Sequence, residues 1–181
     1  MRITIDMINE AEQSRNPVLE NTISLRGNKI SVIENLSITK DYFECIDLSD
    51  NEIIKLNNIP YLKKLKTLIL CNNKIARIDA DIFDNLPNLN SLVLTNNKLE
   101  KLSDLKSLFK AKNLIRLSLL ENSVCKLEHY REYLIYNIPS LRYLDFEKIK
   151  TKDRELANST MENFNENDDV TQEKRNIYNN K

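Results

Sequence analysis

The chain has 181 residues, of which 41% are hydrophobic and 30% charged, and its 27 basic and 27 acidic side chains give a formal net charge of zero. One Gly, one His and no Trp leave no glycine-rich phosphate cradle and no metal site that needs two histidines. The balanced charge gives no overall attraction to nucleic acid, though it does not exclude a local basic patch.

The opening residues, MRITIDMINEAEQ, carry acids and no apolar core, so no secretory leader is expected there. No apolar run approaches the ~20 residues of a membrane-spanning helix. Residues 4–14 are expected to form a capping helix, with Thr4 as N-cap, Asp6 in the first turn, and Ile5, Ile8 and Ala11 on one face.

A repeat follows. The template L-x-x-L-x-L-x-x-N-x-L matches at Phe43, Ile46, Leu48, Asn51, Ile53; at Leu65, Leu68, Leu70, Asn73, Ile75; at Leu89, Leu92, Leu94, Asn97, Leu99; and at Leu114, Leu117, Leu119, Asn122, Val124. An earlier copy has Ile23, Leu25, Asn28 and Ile30, with Glu20 in the first apolar place. A later partial copy has Leu141, Leu144 and Phe146, with Ile149 where the asparagine should be. This is the leucine-rich repeat. The alternation within each copy has the period of a strand, not of a helix. The two leucines of x-L-x-L-x therefore point inward and their neighbours outward. The asparagine amide, with donors and an acceptor, turns the chain out of the strand. A second apolar set, including Ile33, Leu36, Leu56, Ile59, Ile78, Ile82, Leu102 and Leu105, predicts short helices or turns filling the outer half of the core.

The expected fold is an α/β leucine-rich repeat solenoid, a right-handed curved horseshoe. About six parallel strands form the concave face, short helices and turns the convex side, and helical caps the ends. Leu127, Tyr130, Leu134 and Ile138 predict the C-terminal capping helix over residues 127–137, stopped by Pro139, and a last strand follows at 142–146. The repeat domain spans 1–150. Residues 151–181 read as a polar Asn-rich tail, a short helix at most and largely disordered, with seven Asn and few large apolar residues.

The outward strand positions are small or polar except Ile69, Cys71, Val93 and Leu120, an apolar island ringed by Asp47, Asp50, Arg116 and Glu121. That is the composition of a protein-binding patch. Six strands make a face about 24 Å across. A helix of ~12 residues is about 18 Å long, so the trough suits one helix or the edge of a small domain. The three cysteines, Cys45, Cys71 and Cys125, lack C-x-x-C spacing and a local His or Asn partner, and read as reduced thiols of an intracellular protein. His129 reads as a surface or capping residue. No enzyme activity, cofactor or metal is expected.

Several stretches go beyond the generic repeat: LRGNKISVIENL (25–36), FECIDLSDNEIIKL (43–56), LKKLKTLILCNNKIARI (62–78), LVLTNNKL (92–99) and HYREYLIYNIPSLRYLDFEKIK (129–150). Over residues 1–155 the chain resembles the A-prime family of the spliceosomal U-two small nuclear ribonucleoprotein. The Asn-rich tail departs from that family's longer basic and acidic one. The resemblance implies a nuclear, non-catalytic protein, monomeric when free. Its concave face would bind the RNA-recognition domain of the B-double-prime protein, and the pair would bind a stem-loop of U-two small nuclear RNA and support splicing at the branch site. By position, Arg26, Asp47, Asp50, Ile69, Cys71, Val93, Thr95, Ser118 and Leu120 would meet the partner. Arg26 and Lys29 at one end, and Lys148, Lys150 and Lys152 at the other, would lie near the RNA. Two alternatives share the repeat: a nuclear regulator that binds a phosphatase or histone, and a dynein-associated light chain of cilia. The first carries a long acidic run, interrupted here by Lys174 and Arg175; the second lacks the IDLSDNEI block.

Overall fold

A computed structural model describes residues 1–162 and Phe164. The chain opens with α1 (Ile5–Glu10) and β1 (Glu12–Arg15), which turns back onto β2 (Asn21–Ser24). The repeats then lay down β3 (Cys45–Asp47), β4 (Lys55–Leu56), β5 (Thr67–Ile69), β6 (Arg77–Ile78), β7 (Ser91–Val93) and β8 (Arg116–Ser118). After α2 (Tyr130–Asn137) come β9 (Tyr143–Leu144), β10 (Glu147–Lys148) and α3 (Thr151–Met161). Eight strands form one sheet in the order β1-β2-β3-β5-β7-β8-β9-β10, parallel from β2 to β9 and antiparallel at both edges. The expected six parallel strands are there. β4 and β6 pair separately.

The register puts the repeat's leucines in line. Ile23 stands beside Ile46, Ile46 beside Leu68, Leu68 beside Leu92, and Leu92 beside Leu117. All five are buried, as are Leu48, Leu70, Leu94 and Leu119 two residues on. The convex wall consists of 3-10 turns at Leu36–Thr39, Ala80–Phe83, Leu102–Lys110 and Ser123–Lys126, which bury Leu36, Ile82, Phe83, Leu102, Leu105, Leu108 and Val124. One continuous core runs the length of the solenoid.

The template asparagines join successive coils. Asn51 Oδ1 accepts the backbone N–H groups of Asn28 and Ile30, and its Nδ2 donates to the carbonyls of Leu25 and Leu48. Asn97 and Asn122 repeat the pattern further along the solenoid. The residue before each asparagine has a left-handed backbone: Gly27, Asp50, Asn72, Asn96 and Glu121. A Cβ at Gly27 would meet nothing within 4 Å, so the conformation and not the space favours glycine there. Asn and Asp tolerate the same conformation.

Both ends differ from expectation. The N-terminal helix covers Ile5–Glu10 and not residues 4–14, although Thr4 caps it by accepting the Met7 N–H. Glu12–Arg15, with all four residues exposed, instead pairs along β2 and covers the open edge of the parallel sheet. The last parallel strand is Tyr143–Leu144, after which Asp145 and Phe146, both left-handed, form a two-residue turn into β10. α2 starts at Tyr130, with His129 before it in a left-handed conformation and its ring edge-on to Phe164. Beyond residue 150, α3 packs against α2 and buries Ala157, while Met161 and Phe164 lie against the core. The rest of the tail lies outside the described residues.

Candidate functional site on the concave face

The sheet presents one face to the core and the other outward, so alternate side chains of the short parallel strands make the concave surface. Ile69 and Val93 stand side by side in the register of β5 and β7 and are partly exposed. Leu120, just beyond β8, is 38% exposed. Cys71 and Thr95 are also partly exposed, and Asp47 borders Ile69 on β3. The apolar residues of the expected island therefore lie on three adjacent coils, with Asp47 on the coil before them.

Three small residues placed outward by pattern are hidden. Ser118 is 2% exposed and shares a 3.0 Å hydrogen bond with Thr95, and Cys45 and Ser49 are each 1% exposed. A short side chain on a curved face is screened by neighbours about 4.8 Å away on the next strands. Ser118 thus supports Thr95 instead of offering its own surface. Burial pushes the Cys45 and Cys71 thiols above their ordinary pKa, so both stay protonated and poorly nucleophilic at neutral pH.

The rim at the strand exits is a polar chain. Arg26 pairs with Asp50 at 2.5 Å, Asn72 Nδ2 donates to Asp50 Oδ1 at 2.6 Å, and Asn96 Nδ2 donates to Asn72 Oδ1 at 2.9 Å. The Asn72 hydrogen bond, and then Arg26, hold the Asp50 carboxyl below its usual range. Arg26 and Asp50, both expected to meet a partner, are thus preset against each other. Lys29 follows three residues after Arg26, at the same end of the sheet.

At the other end the structure brings Lys148, Lys150 and Lys152 together with Arg131, Glu147 and Asp153 around a shallow cleft of about 440 Å³. Arg131 was not singled out by the sequence. It lies 3.6 Å from Glu147 and 4.0 Å from Asp153. Among the described residues the three lysines make no ion pair, so their charges face solvent.

The largest surprise is Phe146. Its place in the template is an inward one, yet it is 74% exposed. With Ser91, Val93, Arg116, Ser118 and Tyr143 it borders a pocket of about 150 Å³ on the concave face. Arg116 lies over the Tyr143 ring, 5.5 Å from its centroid. The missing asparagine at Ile149 was the signal: without it this coil does not leave its strand as the others do. Among the described residues no cluster of His, Cys, Asp or Glu is arranged to hold a metal ion, and no helix is long and apolar enough to cross a membrane.

A profile of the leucine-rich repeat family matches residues 1–174. A chain in the crystal structure of the Drosophila melanogaster SNF/U2A' complex superposes with a TM-score of 0.88 at 47% identity, covering 96% of this chain and 99% of that one. The chain belongs to the leucine-rich repeat family, as a homologue of the U2 small nuclear ribonucleoprotein A' proteins. It is 49% identical over 159 residues to the Arabidopsis thaliana U2 small nuclear ribonucleoprotein A', and 48% identical over 157 residues to the Homo sapiens one. These alignments take in 88% and 87% of this chain. They span 64% and 62% of those two relatives.

Proposed function

We propose that this chain is the leucine-rich subunit of a U2 small nuclear ribonucleoprotein and acts in the nucleus as a binding protein. Its concave face receives the RNA-recognition domain of a B-double-prime-class protein, and the pair holds a stem-loop of U2 small nuclear RNA. The single observation that carries this reading is the near-complete match to a chain crystallised in a SNF/U2A' complex. The surface supports it on physical grounds. An apolar patch of Ile69, Val93 and Leu120, with a charged rim, suits burial against one amphipathic helix.

The basic residues at the two ends fit a secondary role toward RNA. Lys148, Lys150 and Lys152 can attract phosphates but offer no stacking platform, so base recognition falls to the partner's aromatic sheet. Purifying the endogenous complex and sequencing its RNA tests the proposal. Recovery of U2 small nuclear RNA with an RNA-recognition-domain protein is expected. Recovery of tubulin or a phosphatase without small nuclear RNA would overturn it.

A further inference from the structure

The sheet ends on a side chain where the other coils use backbone. The residues that follow the first four parallel strands, Leu25, Leu48, Leu70 and Leu94, each donate their N–H at 2.8 Å to a backbone carbonyl of the next strand. Leu119, after β8, donates at 2.7 Å to Asp145 Oδ1 instead. The Asp145 carboxylate thus takes the place of the carbonyl that would have continued the ladder. Its own backbone, anchored by the N–H donated to Leu117 at 2.9 Å, is free to turn away from the sheet. The other carboxylate oxygen accepts the hydroxyl of Tyr130 at 2.9 Å. Tyr130 sits on α2 and is buried.

The turn that results fixes the residue after it. Asp145 and Phe146 have φ of 52° and 65°. A bulky aromatic residue in the left-handed region is disfavoured and persists only where its surroundings fix it. Nothing in folding requires the Phe146 ring to face solvent, and burying it would be favourable. It is instead held out beside Val93 and Tyr143, at the edge of the concave pocket.

We propose that Phe146 is an anchor for the partner on the docking face, and that Asp145 and the Tyr130 hydroxyl are positioning residues that set it there. The proposal rests on the docking reading given above. The partner chemistry it implies is an apolar side chain of a helix, seated in the pocket between Phe146 and Val93. A preset anchor spares the complex the cost of ordering that turn on binding. The C-terminal cap is therefore part of the binding apparatus as well as a seal for the core.

The test is a titration of the full chain with the RNA-recognition domain of a B-double-prime-class protein. The unaltered chain, Phe146→Ala, Tyr130→Phe and the double variant are compared, with melting followed by circular dichroism. Phe146→Ala is expected to weaken binding about tenfold or more, as a central aromatic anchor does. Tyr130→Phe keeps the ring in the core and removes only the hydroxyl; it is expected to weaken binding about fivefold alone and to add nothing to Phe146→Ala. Asp145→Asn repeats the measurement should Tyr130→Phe melt below the assay temperature, with the same loss expected. Full affinity in Phe146→Ala would overturn the anchor. Full affinity in both supporting variants, or additive losses in the double variant, would overturn the positioning role. Failure of the unaltered chain to bind would overturn the docking reading itself, and this proposal with it.

Discussion

The side-chain oxygen of Asn73 accepts the backbone N–H of Ile53, one coil back, at 3.0 Å. Its Nδ2 donates to the carbonyls of Leu48 and Leu70 at 3.0 and 3.2 Å. With the Cys71 carbonyl, also accepting from Nδ2 at 3.2 Å, one amide meets four backbone groups, two of them on the preceding coil. Each buried group left unsatisfied costs about 1–3 kcal/mol. Asn73→Ala should lower unfolding stability, measured by urea denaturation, by at least that much for a single group. Asn73→Asp should be nearly as damaging at neutral pH, because an ionised carboxylate has no hydrogen to give Leu48 or Leu70. Wild-type stability in Asn73→Asp would show that the donors are dispensable.

Inward and outward positions on adjacent residues at β7 should separate stability from binding. Leu94 is fully buried, and Leu94→Ala should cost about 2–5 kcal/mol of stability. Its neighbour Val93, and Ile69 on β5, are partly exposed on the concave face. Val93→Glu or Ile69→Lys should abolish partner binding and leave the circular dichroism spectrum and melting curve of the free chain close to the original. Unfolding of either variant would contradict the assigned facing.

Acid stability follows from two carboxylates. Glu44 accepts Lys66 Nζ at 2.7 Å and the Asn21 N–H at 3.1 Å, and these bonds, Lys66 first, hold its carboxyl below the usual range. Asp50 is lowered in the same direction by Asn72 and Arg26. A carboxyl with a lowered folded pKa stabilises the fold above its unfolded value, near 4 to 4.5, and that contribution is lost as pH falls through the folded value. These two groups should therefore leave the melting temperature unchanged between pH 7 and about 5.5 and make it decline below about 4.5. Glu44→Gln should make that decline shallower. An acid decline of unchanged steepness would remove Glu44 from the account.

Reversing Lys148, Lys150 and Lys152 to Glu should weaken RNA binding by the two-protein complex. It should also flatten the dependence of log affinity on log salt, by about 0.7–0.9 for each phosphate no longer neutralised. Arg131 pairs with Glu147 and Asp153, so Arg131→Ala should change that slope less. An unchanged slope after the triple reversal would place these lysines away from the RNA.

Much of this fold could be read from residue spacing, because every interior coil meets a copy of itself on each side. The alternation of Leu92, Val93 and Leu94 fixes which side chains are buried, and the register with Leu68 and Leu117 follows. The ends have no such neighbour. Glu12–Arg15 has no apolar alternation; its strand exists because β2 would otherwise expose an unpaired edge. Phe146 was legible as an apolar residue in the template but not as an outward one, since its facing depends on a turn in which Asp145 is held by Tyr130, a residue outside the repeat. The packing of α3 was muted for a different reason. Its stripe consists of only Ala157, Met161 and, just beyond the helix, Phe164, too few to stand out from a polar composition. Ser118 failed by size alone: the pattern gives direction, but a short side chain does not reach past its neighbours.

The most direct test of the docking face is a methyl-resolved NMR titration of the chain with a B-double-prime-class RNA-recognition domain. The methyl signals of Ile69, Val93 and Leu120 should shift with one-to-one saturation, while those of Ile82 and Leu105 on the convex wall stay in place. Shifts confined to the convex methyls, with the concave three unmoved at saturation, would contradict the account.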